Sequence, residues 1–371
     1  MDMQTFDVVI IGAGIAGATC AAALAPTHRV ALIEAEEAAG YHSTGRSAAI
    51  WFVNYGPPDV RTLTALSRDF FENPPPGFTD HPLHRRRSML FLAPEEQTEY
   101  YAAFMAAGIG LREITVEQAR ALLPALRPGY AKRAAVEEDA FDMDVGATHQ
   151  GYLREMRRHG GVLALRSRAG RIERRDAVWR VETSAGATLA APVVIDAAGA
   201  WADEVAAQAG VAKIGLTPCR RTASIIDPAP WVVEDWPLVN DVAHTWYVRP
   251  EARTRLLVSP ADQTPTHPHD VQPDELDIAI AIDRMQQALD IEVRRVERSW
   301  AGLRTFTPDG SLAIGFDAAQ PGFLWCAGQG GYGIQTSPAA GLLVAALVKG
   351  EDPGAAGAIL AAIDPNRFRS R

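Results

Sequence analysis

Short continuous apolar runs and longer periodic ones alternate along the chain, and the two patterns predict different elements. Val8 to Ile11 reads as a buried parallel strand. Arg29 to Ile33 and Pro192 to Asp196 read the same way, with Leu312 to Ile314 and Phe323 to Cys326 as later members. Apolar residues three and four apart predict helices over Ile15 to Leu24, Asp59 to Glu72, Glu95 to Ala107, Val116 to Leu123, Val145 to His159 and Pro273 to Leu289. Asn73 with Pro74 to Pro76 closes the second of these and Pro124 the fourth, because proline cannot continue a helix. Ser88 to Leu92, Val162 to Leu165, Arg171 to Glu173 and Trp179 to Glu182 are predicted strands, and from Leu216 to Arg304 the pattern is mostly strand.

Between the first strand and the first helix the chain turns through Gly12, Gly14 and Gly17, spaced G-x-G-x-x-G. Gly12 permits the tight turn and Gly14 lets a pyrophosphate approach the backbone. Gly17 lets the helix sit close to the sheet with its positive N-terminus toward the phosphates. The next strand ends at Glu34, an acid about 20 residues beyond the glycines and placed to accept hydrogen bonds from a ribose diol. Strand, turn, helix, second strand and acid together specify a dinucleotide site. The uncharged run from Val8 to Ala25 is neither a membrane span nor a signal peptide, since the glycine turn interrupts it and Asp7, not a cation, precedes it.

A second glycine-rich turn, with Gly328, Gly330, Gly331 and Gly333, precedes a helix that carries Leu342 to Leu347 and aims another N-terminus at a ligand. Pro192 to Asp196 leads through Ala198 and Gly199 into a helix at Trp201, which returns the chain to the nucleotide domain. The expected fold is therefore α/β, with a discontinuous Rossmann-type domain (residues 1–82, 144–212 and 301–371). A second, β-sheet-rich α+β substrate domain (83–143 and 213–300) lies between its segments.

The chain has 371 residues, 47% hydrophobic and 22% charged, as in an ordinary soluble enzyme with room for a large core. A net charge of −9 gives no electrostatic footprint for nucleic acid. Three scattered cysteines, Cys20, Cys219 and Cys326, argue against a disulfide framework or zinc ribbon and fit a reducing, cytoplasmic setting. Ser43, Thr44 and Ser47 around Gly45 and Arg46 are expected to open a further helix and offer hydroxyls, amides and a cation to a phosphate. Arg85 to Arg87 read as a solvated face. His267, His269 and Asp270 lack a further ligand cluster, so no metal site is expected. A G-x-S-x-G elbow and a Ser-His-Asp set are missing, which leaves hydrolase chemistry unsupported.

With these residues in view, GAGIAG, Glu34, GYHSTGRSAA, VIDAAGAW, WAGLRTFTPDG and AGQGGYGIQTSPAAG together resemble the D-amino acid oxidase and glycine oxidase superfamily of FAD-dependent amine oxidoreductases, over nearly the full length. Within it the chain most resembles the D-arginine dehydrogenases, in HSTGRSAA, FFENPPPGF, HQGYLR, DVQPDELDIA and QGGYGIQTS. The resemblance implies noncovalent FAD and oxidation of a D-amino acid to an imino acid, which water converts to a 2-oxo acid and ammonia. Gly12, Gly14, Ile15, Ala16, Gly17, Glu34 and Ala35 match the ADP site. Ser43, Thr44, Arg46, Ser47 and Ala48, with Ala198, Gly199, Trp201 and Gly302, match positions along the pyrophosphate and flavin. Gly330, Gly331, Tyr332, Gly333, Ile334 and Gln335 match the loop beneath the flavin ring.

By the same resemblance Arg221 and Arg304 hold the substrate carboxylate, with Tyr247 nearby and Tyr55 on a mobile loop over the pocket; Gly331 and Gln335 complete the set. The chain departs from the D-arginine dehydrogenases at Ser88, where a side-chain-binding glutamate is expected, and at Ile50, where a histidine is expected. An uncharged, apolar substrate side chain follows. With a single dinucleotide fingerprint the substrate itself supplies the electrons, by hydride transfer to flavin N5, and positioning carries much of the rate. A guanidinium fork suits that task because it fixes orientation as well as charge. The electron acceptor, whether quinone, carrier or oxygen, is left open. Two alternatives also stay open: a secondary-amine oxidase for sarcosine-like or proline-like substrates, and an FAD-binding electron-transfer subunit without its own substrate.

Overall fold

Val8–Ile11 lies inside a six-stranded sheet of order Val162–Ala164, Val30–Ile33, Val8–Ile11, Val193–Asp196, Phe323–Ala327 and Ala313–Phe316. This computed structural model describes residues Met3 to Arg369, so the outermost ends of the expected nucleotide domain, residues 1–2 and 370–371, lie outside the described residues. The first five strands run parallel and the last pairs antiparallel. All four residues of Val8–Ile11 and of Val30–Ile33 are buried because both faces are covered. Val8, Ile10 and Leu32 face Ala18, Leu24, Leu343 and Val344 of the helices Ile15–Leu24 and Gly333–Lys349. Val9, Ile11 and Ile33 face Trp179 and Val181 of a small four-stranded sheet, together with the helix Ala202–Gln208.

The two helices can approach closely because a side chain at Gly341 would overlap Thr19, whose hydroxyl instead donates to the Ser337 carbonyl at 2.9 Å.

A nine-stranded sheet forms the other half, in the order Thr264–Pro265, Thr217–Ile226, Arg255–Ser259, Tyr247–Glu251, Leu238–Asp241, Met89–Ala93, Arg133–Glu137 and Arg112–Ile114; Val296–Phe306 also pairs with Thr217–Ile226. The boundary expected at residue 301 falls inside Val296–Phe306, so Gly302 and Arg304 belong to this sheet. Alternation assigns its faces. Leu90, Leu92, Val239, Val248 and Val258 pack against Ala281, Met285 and Ala288 of the helix Glu275–Ala288, whereas Met89, Leu238, Asn240 and Tyr247 line a cavity on the opposite side.

Two local expectations change. The stretch Tyr41 to Arg46 is a series of turns and opens no helix. Its side chains are drawn to distant partners: Thr44 Oγ1 accepts from the Ile15 amide at 2.9 Å, and Ser43 Oγ donates to the Leu303 carbonyl at 2.6 Å. Of the arginine triplet only Arg85 and Arg86 are exposed. Arg87 is buried, pairs with Asp142 and donates to the carbonyls of Glu234 and Trp236.

Candidate active site

The cavity, about 370 Å³, runs from the glycine turn to the face of the large sheet. At the first end backbone does the positioning. Gly12 has φ +101°, and a Cβ there would come 2.5 Å from the Ala197 carbonyl oxygen. The amides of Gly14 and Ala16 have no protein acceptor among the described residues, and both residues line the cavity. Glu34 accepts from the Ala13 amide at 2.9 Å and from the Glu36 amide at 3.0 Å, which fastens the turn to the end of Val30–Ile33 while leaving lone pairs for a diol. At the second glycine turn the amides of Gly331, Gly333, Ile334 and Gln335 likewise lack protein acceptors among the described residues. Two helix N-termini thus point free N–H groups into one cavity.

The far end is built from side chains. In the antiparallel register Arg221 faces Gly302 and Cys219 faces Arg304, so the two arginines are diagonal neighbours on one face, with a glycine leaving room beside them. Arg304 Nη1 donates to Tyr55 Oη at 2.7 Å, and a Cβ at Gly331 would come 2.7 Å from that Nη1. Arg221 Nε donates to the Asp262 backbone carbonyl at 2.7 Å and lies 3.9 Å from the Asp262 carboxylate, which accepts from the Thr222 amide and hydroxyl and sits 3.8 Å from Arg220 Nε. The Nη groups of Arg221 and the Nε and Nη2 of Arg304 have no protein acceptor among the described residues. Burial, and then Arg304, pull Arg221 below its ordinary value. Burial also lowers Arg304, but Tyr55, Tyr247 and Asp262 outweigh it and the net shift is upward. Both guanidinium groups stay charged at neutral pH.

The family of FAD dependent oxidoreductases (DAO) matches residues 7–347. The chain belongs to this family. Among curated relatives of the DAO-family chain, a glycine oxidase from Geobacillus kaustophilus is 29% identical over 178 residues; that stretch is 47% of this chain and 45% of the relative, less than half its length. Among solved structures, the glycine oxidase of Geobacillus kaustophilus superposes with a TM-score of 0.86 at 22% identity, covering 98% of this chain and 99% of that one. The L-proline dehydrogenase of P. horikoshii also gives 0.86, at 21% identity, covering 99% and 98%. At such identity the superpositions show the fold.

FAD is the cofactor of the family, and the residues present fit it: free amides at two helix N-termini suit a pyrophosphate and flavin ring atoms, and Glu34 suits a ribose. Of the expected cofactor residues, Ile15, Ala35, Ser43, Thr44, Ser47, Ala48, Ala198, Gly199, Trp201, Gly302 and Gly330 also line the cavity of this DAO-family protein. Gly17 and Tyr332 do not. Gly17 sits behind the turn, where any Cβ would overlap the Gly12 carbonyl oxygen, and Tyr332 is a buried ring whose hydroxyl donates to the Gly310 carbonyl at 2.8 Å.

Arg46 reaches the wall, but its guanidinium donates to the Val271 and Ala301 carbonyls, both at 3.0 Å, and pairs with Asp270. It fastens the turn to the large sheet and is not a free phosphate cation. The rings of His267 and His269 stack at 4.4 Å beside that pair.

At the substrate end Ile50, Tyr55, Tyr247 and Gln335 line the cavity, but Ser88 does not. Ser88 opens on a separate surface depression with Arg85, Arg86, Glu138 and Glu234. The next residue, Met89, takes the cavity wall, because neighbouring residues of a strand point to opposite faces. Asn240, His244 and Trp246 line the wall as well; they carry no motif and lie within the stretch Leu216 to Arg304, read only as mostly strand. Burial holds the His244 imidazole below its ordinary value, with Arg221 and Arg304 adding to that effect against the opposing pull of Asp241.

Proposed function

We propose that the protein is an FAD-dependent D-amino acid dehydrogenase or oxidase acting on substrates with uncharged side chains. The observation that carries this reading is the pair of half-buried arginines, Arg221 and Arg304, whose free N–H groups face the cavity beside Tyr55 and Tyr247. A substrate carboxylate laid across both guanidinium groups has its position and orientation set, and Tyr55 holds Arg304 in place for it. Bound FAD supplies the acceptor for the hydride that leaves the substrate α-carbon. The imino acid then takes up water and yields a 2-oxo acid and ammonia.

The D configuration rests on the likeness of HSTGRSAA and QGGYGIQTS to the D-arginine dehydrogenases. The uncharged side chain rests on the wall itself. Its carboxylates are Glu34, Glu36 and Glu204, all at the nucleotide end, and Asp241 is taken up by Thr245, Trp246 and Gln97. Burying a cation there without an anionic partner costs several kcal/mol.

Noncovalent binding is supported by Cys326, which is fully buried 3.7 Å from Cys20 Sγ and is not part of the wall. Acid should therefore release free FAD. Anaerobic bleaching of the flavin by D-amino acids, L-amino acids and N-methyl amines tests the reading as a whole. D-leucine, D-methionine and D-phenylalanine are expected to bleach it. A tenfold advantage for D-arginine and D-lysine overturns the uncharged preference, and bleaching by N-methyl amines alone points to a secondary-amine oxidase.

A further inference from the structure

Away from the arginines and tyrosines that suit a carboxylate, the substrate end of the cavity has a second polar patch, set among apolar residues. Asn240 shares a face of the strand Leu238–Asp241 with Leu238 and stands directly across from Tyr247 on the neighbouring strand, which places it beside the arginine and tyrosine cluster. Its side chain is only 4% exposed. The amide nitrogen lies 2.6 Å from His244 Nδ1, but Oδ1 is buried and has no hydrogen-bond partner. Rotating the amide by 180° exchanges donor and acceptor without changing the count, since one polar atom of Asn240 is still left over.

Such an atom is destabilising where it stands. On a cavity wall it calls for a partner that arrives with the ligand. His244 is held just as firmly. It has φ +54°, uncommon for any residue but glycine, in a loop that Asp241 ties down by accepting from the Thr245 amide at 2.6 Å and the Thr245 hydroxyl at 2.7 Å. Arg284 Nη1 fastens the same loop by donating to the Thr245 carbonyl at 2.5 Å.

We propose that Asn240 and His244 form a hydrogen-bonding subsite for the substrate side chain, selecting carboxamide- or hydroxyl-bearing amino acids over purely aliphatic ones. The proposal rests on reading the site as an amino acid oxidoreductase and refines the uncharged class. A carboxamide or hydroxyl offers both donor and acceptor, so it satisfies whichever edge of Asn240 faces the cavity. An aliphatic side chain leaves that edge bare, and an ammonium or guanidinium finds no carboxylate. Ile50, Phe52, Met89 and Leu238 enclose the same region, which suits a methylene stem. His244, neutral at the end of the wall, adds a second hydrogen-bonding group without adding charge.

The test compares near-isosteric ligands. In whichever enantiomer reduces the flavin, kcat/KM for asparagine should exceed that for leucine by about tenfold or more. Binding is read without turnover from the flavin absorption change produced by succinamate and by 4-methylpentanoate, which lack the amine. Succinamate should bind more tightly by a similar factor. Asn240→Leu should erase or invert both ratios. Leucine equal to or better than asparagine in the unaltered protein overturns the subsite, as does a ratio unchanged by Asn240→Leu, and so does aspartate outrunning asparagine. If the variant loses its flavin, the comparison in the unaltered protein still decides. Flavin bleaching by no amino acid of either hand defeats instead the functional reading on which the subsite rests.

Discussion

The two ends of the cavity are built on different principles. At the nucleotide end the contacts are backbone amides at helix N-termini, and the determining residues are glycines whose missing side chains make room; Ala13 and Glu34, which lock that turn, are 21 residues apart. At the substrate end the contacts are side chains brought together from remote segments; Arg304 and Tyr55 are 249 residues apart. A backbone-built site is inseparable from the fold that shapes it. A side-chain-built site can be altered one group at a time while the fold and the cofactor remain. Substitutions at the two ends should therefore fail in different ways, and that difference can be measured.

The largest effect is expected at Gly17. A Cβ there overlaps the Gly12 carbonyl oxygen, so Gly17→Ala should destabilise the protein by about 3 kcal/mol or more and yield protein without flavin. Thermal unfolding and the flavin to protein absorption ratio check this, and a yellow, normally stable Gly17→Ala protein would break the comparison.

Next comes Arg304. Arg304→Ala should lose about 3–5 kcal/mol in kcat/KM. Arg304→Lys should lose less, about 2–3 kcal/mol, with KM raised, because a point charge cannot reproduce the fork. Tyr55→Phe, which removes only the hydroxyl that accepts from Arg304, should lose about 1 kcal/mol. All three should keep their flavin. Loss of flavin in Tyr55→Phe would show that the two ends are not separable.

A smaller, pH-dependent effect sharpens the boundary at the nucleotide end. His149 is buried and its Nε2–H donates to the Ala13 carbonyl at 2.9 Å. Burial pulls its value below that of a free imidazole, more than the Ala13 carbonyl and Glu34 restore it. The unfolded chain therefore takes up a proton near pH 6.5 while the folded chain does not. This contribution to stability is full above that pH and declines as the pH falls below it. His149→Gln, which can still donate to Ala13, should lose less stability than the unaltered protein between pH 7.5 and pH 5.5. Parallel melting-temperature curves would remove His149 from this role.

The smallest effect belongs to Ser88, which lies off the cavity wall. Ser88→Glu should change kcat/KM for D-arginine by no more than about 0.5 kcal/mol. A clear gain would return Ser88 to the substrate site.

The contrast also explains what could be read before the structure. Val8 to Ile11, the glycine turn, the helix from Ile15 and Glu34 were legible because their partners are neighbours in the chain and the spacing alone dictates the geometry. The arginines were legible only through likeness to a family, since nothing in CRRTASII or AGLRTF says that the two strands pair. Ser88 was misplaced by a single step, and in a strand one step turns a wall residue into a surface one. Arg46 looked like a free cation because its partners, Val271, Ala301 and Asp270, lie more than two hundred residues away.

The sequence by itself determined the elements, the nucleotide turn and the supply of groups able to hold a carboxylate, because local sterics and hydrophobic period act over a few residues. The tertiary structure alone decided which of those groups face the same space. It freed the N–H groups of Arg221 and Arg304, occupied those of Arg46, and set Asn240 and His244 on the wall. Sheet register and loop geometry aim a side chain, and both depend on strands that the chain brings together from far apart.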